Sequence, residues 1–448
     1  QTIDGHDHSA MHFAIETAKV MDKPSIIIGN TIMAKGSANM EKDHNTHGAP
    51  LPQDEIDLTK EKLGLPEKKF YVPAEVIEHF RTRYTDLTKE AEKWSARFDQ
   101  LSKDTNFKNM IENTIGEKIV SGLKMPDFDS GETLATRKAF GAVLDSIADS
   151  LPQLVGGSAD LEPSNYTGNF AKKFGDFTKD NHSGRNIPFG VREFPMAAMM
   201  NGMALHGGVI PFGGTFLVFA DYERPALRLA AIQNIRVIHE FTHDSFYVGE
   251  DGPTHQPVEQ AMSLRAIPNF NVYRPADAKE TASCIKLALK DKNTPSALLL
   301  TRQGVPVLDR GQKQIDEDVS KGAYSVFECD GLPEIVILAT GSEVSLAIEV
   351  AKKLNNKRVR VVSMPCWELY EQQSDDYKAE LIPIRGNLKV SIEAGITHGW
   401  EKYIGNNGIS IGLNHFGSSA PASDLAEEFG FTPEKVIEKI NEALKNLL

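Results

Sequence analysis

The stretch from Pro333 to Pro365, PEIVILATGSEVSLAIEVAKKLNNKRVRVVSMP, is the feature that most restricts how this chain can fold. Two apolar, β-branched runs flank a glycine turn and a segment with helical spacing, so the stretch predicts strand, helix and strand. Two strands joined by a helix run parallel, and helices cover both faces of such a sheet. Apolar strands also alternate with helices elsewhere. The sequence therefore predicts an α/β protein built on parallel sheets.

The 448 residues divide into three predicted pieces, at 1–118, 119–317 and 318–448. The first contains an apolar segment, PSIIIGNTI, which we interpret as a buried parallel strand, followed by charged helices that lead to a linker. The second alternates helices with apolar strands. The third holds the stretch described above and a closing helix.

Charge and cysteine content restrict the partners. The formal net charge is −13, whereas a nucleic-acid or anionic-membrane binder needs a basic face. A small anionic substrate stays open, since a local cluster of arginine and histidine can oppose the overall sign. Three widely spaced cysteines without a CxxC pair predict a reduced, cytoplasmic setting.

A polar loop at 243–257, HDSFYVGEDGPTHQP, follows an apolar run that ends at Thr242. Ligands of open parallel sheets bind beyond the carboxyl ends of the strands. Further strands are predicted to end near Val155 and Thr301. If these strands are neighbours, their loops form one pocket; otherwise each polar group is an ordinary loop residue. The residues that would converge are Asp160, Ser164, His243, Asp251, His255 and Arg302.

Glu193 and an aromatic triplet each have two interpretations. Glu193 begins an apolar helix, where it is either a partner of the helix dipole or a buried carboxyl suited to acid–base work. Phe216, Phe219 and Tyr222 recur at intervals of three, a spacing typical of a helix packed on a core. A platform for a flat ring is the alternative.

Two weaker motifs have a structural interpretation. The turn ATGSEV resembles a phosphate-binding turn but lacks the glycine fingerprint and the P-loop lysine. His6 and His8 could chelate a metal, but histidines on a chain end are more simply surface imidazoles.

Several long segments, in order, resemble those of transketolases. They are DHNTHGAPL, GGSADLEPSN, GVREFPMAAMMNGMALHGG, GGTFLVFADY, THDSFYVGEDGPTHQPVEQ, LLLTRQ, ILATGSEV and EEFGFT, and they span essentially the whole chain. The chain is thereby identified as a member of the transketolase family. The resemblance implies a partial diphosphate-binding domain, a complete pyrimidine-binding domain and a C-terminal α/β domain.

The same resemblance implies an activity and its cofactor. Transketolases move a two-carbon ketol unit from a ketose phosphate to an aldose phosphate in the pentose phosphate pathway. They are homodimers that hold thiamin diphosphate, with Mg²⁺ or Ca²⁺, between subunits. Sugar phosphates are therefore the expected partners, with no nucleic acid and no membrane. Two alternatives stay open: dihydroxyacetone synthase, a sister enzyme with formaldehyde as acceptor, and a stable fragment without catalytic activity.

Site residues are implied by the resemblance one position at a time. Glu193 matches the carboxyl that bonds the aminopyrimidine ring of the cofactor, and His47 matches a histidine proposed in proton transfer. The implied catalytic set is Glu193, His47 and His255. The implied cofactor-binding set is Asp160, Glu193, Phe216, Phe219 and Tyr222. The implied substrate-binding set is Arg137, Ser164, His243, Asp251, Arg302 and His47.

The chain departs from the family pattern in two ways. The Gly-Asp-Gly…Asn segment that holds the metal and the diphosphate is not found in it, nor is the glutamate that pairs with the counterpart of Glu193 across the dimer. We therefore expect a transketolase that lacks most of its first domain, without metal ligands and inactive alone. Phe246 and Tyr247 replace a smaller pair, with an expected effect on the pocket rim.

Overall fold

The computed structural model describes residues 1–115 and 122–446 and separates into two compact units, Gln1–Ser102 and Lys103–Leu448. The predicted boundary between residues 118 and 119 lies outside the described residues. Within the described ranges, no helix combines the length and apolarity needed to cross a lipid bilayer.

The first unit is a small α/β layer. Its strands β1 (Thr2–Asp4) and β2 (Ile28–Asn30) pair in parallel, and its helices are α1 (His8–Lys19), α2 (Gln53–Lys62) and α3 (Ala74–Leu101), with a 3₁₀ helix at His44–Thr46. Parallel strands are normally covered on both faces. All three residues of β2 are nevertheless exposed, so the prediction of a buried strand in this segment is wrong.

Two five-stranded sheets organise the second unit. The first has the order β4-β5-β6-β8-β7 and is parallel throughout; the second has the order β10-β12-β11-β13-β14, in which β10 alone is antiparallel to its neighbour. The strands are β3 (Thr133–Leu134), β4 (Leu154–Ser158), β5 (Ile210–Phe216), β6 (Ile238–Thr242), β7 (Asn271–Tyr273), β8 (Ser296–Leu300), β9 (Val305–Pro306), β10 (Tyr324–Phe327), β11 (Ile335–Ala339), β12 (Val359–Ser363), β13 (Leu388–Ile392) and β14 (Ile409–Ile411). Strands β3 and β9 form a separate antiparallel pair.

Helices connect these strands, as the alternating pattern predicts. They are α4 (Thr105–Ile115), α5 (Thr136–Ile147), α6 (Glu162–Asn165), α7 (Gly168–Phe174), α8 (Glu193–His206), α9 (Ala220–Gln233), α10 (Gln260–Arg265), α11 (Ala278–Lys290), α12 (Gln312–Val319), α13 (Glu343–Lys353), α14 (Trp367–Glu371), α15 (Asp375–Leu381), α16 (Glu401–Ile404), α17 (Ala422–Phe429) and α18 (Pro433–Asn446). Short 3₁₀ helices occur at Leu217–Phe219 and Phe246–Asp251.

The stretch 333–365 forms β11, α13 and β12, and the two strands are adjacent and parallel. All five residues of β11 are buried, as expected for a central strand with helices on both faces. The predicted α/β class and its parallel sheets are therefore confirmed.

The ATGSEV turn packs on an arginine of the neighbouring sheet. Gly341 has a φ of 62°, and a Cβ atom there would lie 2.7 Å from the Arg274 guanidinium carbon. Glycine is required by this close approach as well as by the left-handed backbone. The structural interpretation of the turn agrees with this packing.

A buried ionic cluster joins the two sheets. Arg274, which follows β7, donates from Nε to Asp244 at 2.9 Å and from Nη1 to Glu343 at 2.5 Å. Arg265 forms a two-pronged pair with Glu393 at 2.9 and 2.8 Å. All five side chains are nearly inaccessible to water, so the charges compensate one another in a low-dielectric interior.

Phe246 anchors the 243–257 loop to the second sheet's helices. Its buried ring lies 5.2 Å from the Phe429 ring and 5.1 Å from the Phe431 ring, centroid to centroid. The Phe246 ring thus fills an apolar cluster beneath the loop, and the effect of the Phe246–Tyr247 pair on the pocket rim stays a prediction.

Candidate active site

Four neighbouring strands of the first sheet end at one edge. Asp160 follows β4, Phe216 ends β5, His243 follows β6, and Arg302 lies just beyond β8. Because β4, β5, β6 and β8 are adjacent and parallel, their carboxyl ends point the same way. The structure thus brings these predicted residues to the edge where open parallel sheets bind ligands.

Aromatic side chains form a wall along this edge. The Phe216 and Phe219 rings are 5.8 Å apart and nearly parallel, at 7°. His243 stacks on Phe216 at 3.8 Å, and His255 meets both phenylalanines edge-on at 6.4 and 5.8 Å. Tyr222 extends the wall at 6.0 Å from Phe219.

The triplet does not lie on one helix, as its spacing suggests. Phe216 ends a strand, Phe219 belongs to a 3₁₀ helix, and Tyr222 lies in the first turn of α9. Tyr222 is 63% exposed, which a residue of the core would not be. Phe216 is itself buried, so the three rings run from the core to the surface, and their role as a platform for a flat ring stays a prediction.

Two guanidinium groups act on His243. Arg137, in the first turn of α5, donates from Nη1 to the Ser164 carbonyl oxygen at 2.8 Å. Burial, and then the charges of Arg137, Arg302 and His255, lower the pKa of His243 to about 3. The imidazole is therefore neutral near pH 7. This end of the wall combines fixed positive charge with an imidazole, a set suited to a phosphate group.

Glu193 is the first residue of α8 and is half-buried. Its negative charge adds to the effect of burial in raising the pKa of Glu223, which follows Tyr222 in α9. An oxygen of the fully buried Glu223 lies 3.0 Å from Nδ1 of His239. Glu193 is thus linked electrostatically to the helix that carries the end of the aromatic wall.

Asp160 and Asp251 are exposed residues at the same edge of the first sheet. Asp160 has a left-handed φ of 63°, and Asp251 ends the 3₁₀ helix at Phe246–Asp251. Both carboxylates are accessible to a ligand.

Sequence reasoning missed three buried polar residues at this sheet edge: Asn165, Glu240 and Thr242. Glu240 is fully buried in β6, and neither carboxyl oxygen has a hydrogen-bond partner among the described residues. Burial raises its pKa well above the usual value, although Arg137 opposes the shift. An acid inside the apolar run IRVIHEFT was the available signal, because charged residues are almost never fully buried without a partner.

His47 belongs to the first unit, where it is exposed directly after the 3₁₀ helix at His44–Thr46. Its catalytic role stays a prediction. His6 has a structural task, since its Nε2 accepts a hydrogen bond from the Ile32 amide at 2.7 Å. In the part of the chain that the structure describes, no group of three or more His, Cys, Asp or Glu side chains could hold a metal ion.

Family models match three consecutive parts of the chain. The thiamine diphosphate binding domain of transketolase matches residues 1–118, its pyrimidine binding domain matches residues 132–307, and the transketolase-like C-terminal domain matches residues 322–432. The candidate site thus falls within the pyrimidine-binding match, apart from His47.

Individual relatives carry the same name. A transketolase of Aquifex aeolicus is 43% identical over 442 residues, which cover 98% of this chain and 64% of that protein. The solved transketolase of Leishmania mexicana is 40% identical with a TM-score of 0.90, covering 99% of this chain and 66% of that one. A Pichia stipitis transketolase complexed with sedoheptulose 7-phosphate is 37% identical with a TM-score of 0.88, covering 99% and 66%.

The chain therefore spans about two thirds of the length of the relatives that it matches, 64% in the first case. Three family models and a relative 43% identical agree on one family over nearly every residue present. The chain belongs to the transketolase family.

Proposed function

We propose that this chain carries the pyrimidine side and the substrate side of a transketolase active site. The reaction is transfer of a two-carbon ketol unit from a ketose phosphate to an aldose phosphate. One observation carries the proposal: a flat aromatic wall and a cationic pocket adjoin at one sheet edge, and His243 belongs to both. A flat ring and a phosphate group can therefore be held side by side.

The residues fit the aminopyrimidine of thiamin diphosphate. The parallel Phe216 and Phe219 rings offer an apolar face, and Glu193 offers a half-buried carboxyl nearby in the fold. Such a carboxyl can hold a proton at a ring nitrogen, while the aromatic wall excludes water. When bound, the cofactor supplies the carbanion chemistry that side chains cannot perform. A divalent cation belongs to the same proposal, with Mg²⁺ or Ca²⁺ as the candidates.

The substrate then lies along the 243–257 loop. Arg137, Arg302 and His243 hold the phosphate, Asp251 accepts from a sugar hydroxyl, and His255 lies nearest the reacting carbon. The edge-on packing of His255 against both phenylalanines supports this order, because it places that imidazole on the aromatic side of the pocket. The Pichia stipitis relative complexed with sedoheptulose 7-phosphate supports a sugar phosphate as ligand.

Arg302→Ala is expected to raise KM for phosphorylated sugars by about 10- to 100-fold, because charge-assisted hydrogen bonds contribute about 1.5–3 kcal/mol. KM for an unphosphorylated acceptor should change far less. Steady-state kinetics with matched acceptors measure both values. Arg385→Ala, at an exposed arginine outside this sheet edge, is the control. An equal change for both acceptors would remove Arg302 from the phosphate site.

The proposed assembly is a homodimer. Helices α8 and α9 expose large apolar side chains, among them Phe194, Met199, Leu205, Leu229 and Ile232, each between 45% and 57% accessible. Several large apolar side chains exposed on two neighbouring helices are typical of a protein–protein interface. The three free cysteines, two of them buried, support a reduced cytoplasmic setting for the assembly.

The 448-residue chain is expected to sediment as a dimer, at about twice its 49.4 kDa. Ile232→Glu should give a monomer, while Leu332→Glu, at an exposed site away from α8 and α9, should not. A wild-type monomer would contradict the interface.

A further inference from the structure

We propose that a directional chain of buried hydrogen bonds, Ser158–Asn165–Thr242, fixes the proton of His243 on Nδ1, so that Nε2 meets the substrate phosphate as an acceptor. The phosphate oxygen that contacts Nε2 must then carry a proton. Binding of a sugar phosphate consequently takes up one proton wherever the free ester is a dianion. This inference rests on the proposed function, since it concerns the phosphate end of the substrate.

The series of hydrogen bonds begins at backbone groups that can act only as a donor or only as an acceptor. Ser158 Oγ lies 3.2 Å from the Gly214 carbonyl oxygen, which can only accept, so the hydroxyl donates its single proton there. The same oxygen accepts from the Leu161 amide at 3.0 Å. Its contact with Nδ2 of Asn165, at 3.1 Å, must therefore have the amide as donor.

The orientation of Asn165 then determines the next link. With Nδ2 on Ser158, Oδ1 faces the Thr242 hydroxyl at 2.8 Å and can only accept, so Thr242 donates. Thr242 has no second proton, yet its oxygen lies 2.9 Å from Nδ1 of His243. Nδ1 must therefore carry the hydrogen. The three polar side chains before the imidazole are at most 1% exposed, which leaves no room for water to reverse a link.

The surroundings of His243 keep the other ring nitrogen unprotonated. Arg137 from α5, Arg302 beyond β8 and His255 from the loop all disfavour an imidazolium, as does burial. Of the acids on the same strand and loop, Asp244 is paired with Arg274, and burial raises the pKa of Glu240 well above the usual value of a carboxyl group. Among the described residues, no hydrogen bond reaches Nε2 of His243.

Three more features hold the ring in place. His243 has a left-handed φ of 60°, its ring stacks on Phe216, and its successor Asp244 is fixed by Arg274. The ring is thus held in place within reach of the charges of two guanidinium groups, Arg137 and Arg302. A phosphate monoester has a second pKa of about 6, so at pH 8 it is mostly a dianion and lacks the proton that this site requires.

Calorimetry of the assembled, cofactor-loaded enzyme with an aldose phosphate, and no ketose donor, tests the inference. Titrations at pH 8 in buffers of different ionisation enthalpy give the number of protons taken up on binding. We expect about one proton at pH 8 and close to none at pH 5, where the ester already carries it. Binding at pH 8 without proton uptake would overturn the proposal.

Two variants of Thr242 test whether its hydroxyl group sets the position of the proton on His243, as distinct from supporting the fold. Thr242→Val keeps the shape but removes the acceptor for Nδ1, which frees the Nε2–H tautomer, so uptake at pH 8 should fall below about half a proton. Thr242→Ser should behave as the wild type. Equal proton uptake by the wild type and both variants would show that the hydrogen bond from Nδ1 of His243 to Thr242 does not set the tautomer.

Ring ¹⁵N shifts of wild-type His243, assigned by comparison with His243→Gln, report the tautomer without any Thr242 variant. A protonated Nδ1 and a bare Nε2 are expected, and the reverse assignment would overturn the proposal. The phosphate assignment fails separately: if His243→Gln and Arg302→Ala leave the affinity for the aldose phosphate unchanged, the phosphate does not bind here at all.

Discussion

Replacing Glu193 by glutamine is expected to lower kcat of the cofactor-loaded enzyme by about 10²–10⁴-fold, the usual contribution of a positioned acid–base group. The amide keeps the size of the side chain and can still bond a ring nitrogen, but it cannot hold and release a proton there. The fold should be retained, because Glu193 is half-exposed at the start of α8 and no structural ion pair involves it among the described residues. Steady-state kinetics and thermal unfolding measure the two effects separately.

Glu317→Gln, at an exposed acid on α12, is the matched control and should leave kcat unchanged. Glu193→Ala should be no more active than Glu193→Gln, since both lack the proton. Retention of kcat within about threefold in Glu193→Gln would be too small for acid–base catalysis and would remove Glu193 from the catalytic set.

The fold was predictable because the signal was local. The run PEIVILATGSEVSLAIEV contains a strand, a turn and a helix in sequence order, and the structure forms β11 and α13 from these residues. The edge of the first sheet was predictable in the same way, since apolar runs ended in polar loops before His243 and Arg302. The order β4-β5-β6-β8-β7 needed the structure, because the pairing of strands far apart in sequence leaves no periodic trace.

The predictions that failed depended on surroundings. PSIIIGNTI is apolar enough for a buried strand, yet composition cannot show which neighbours cover it, and β2 is exposed. The aromatic triplet follows helical spacing by coincidence, since a strand, a 3₁₀ helix and an α-helix each contribute one ring.

The buried polar groups could not be predicted for a related reason. Asn165 and Thr242 are ordinary helix and strand residues until Ser158 and His243 come within hydrogen-bond distance. Arg274 likewise has no partner nearby in sequence, because Glu343 lies 69 positions away. The identity of a residue does not determine such contacts. They depend on which polar groups the fold brings together into one hydrogen-bonded network.

Arg274→Met is expected to reduce the free energy of unfolding of the second unit by about 3–5 kcal/mol, the range for breaking a buried ion pair from one side. The substitution keeps an unbranched side chain but leaves Asp244 and Glu343 buried without their cation. Urea denaturation followed by tryptophan fluorescence measures the loss. Arg385→Met, at an exposed arginine, should cost less than about 0.5 kcal/mol.

Loss of the cation also gives the stability a pH dependence of known sign. Burial already raises the pKa of Glu343 with Arg274 present, and removing the cation raises it further. A carboxyl with a folded pKa above its unfolded value binds more protons in the native state, so stability falls as pH rises through that range. The deficit of Arg274→Met should therefore be larger at pH 8 than at pH 5.

The double variant Arg274→Met, Glu343→Gln decides whether the charges themselves are responsible. Removing both partners relieves the unpaired carboxylate, so the double variant should be more stable than Arg274→Met alone at pH 8 and should lose part of the pH dependence. The contrary outcome is a loss of stability in the double variant that equals the sum of the losses in the two single variants at both pH values. In that outcome Arg274 stabilises the protein by packing, and its charge contributes nothing.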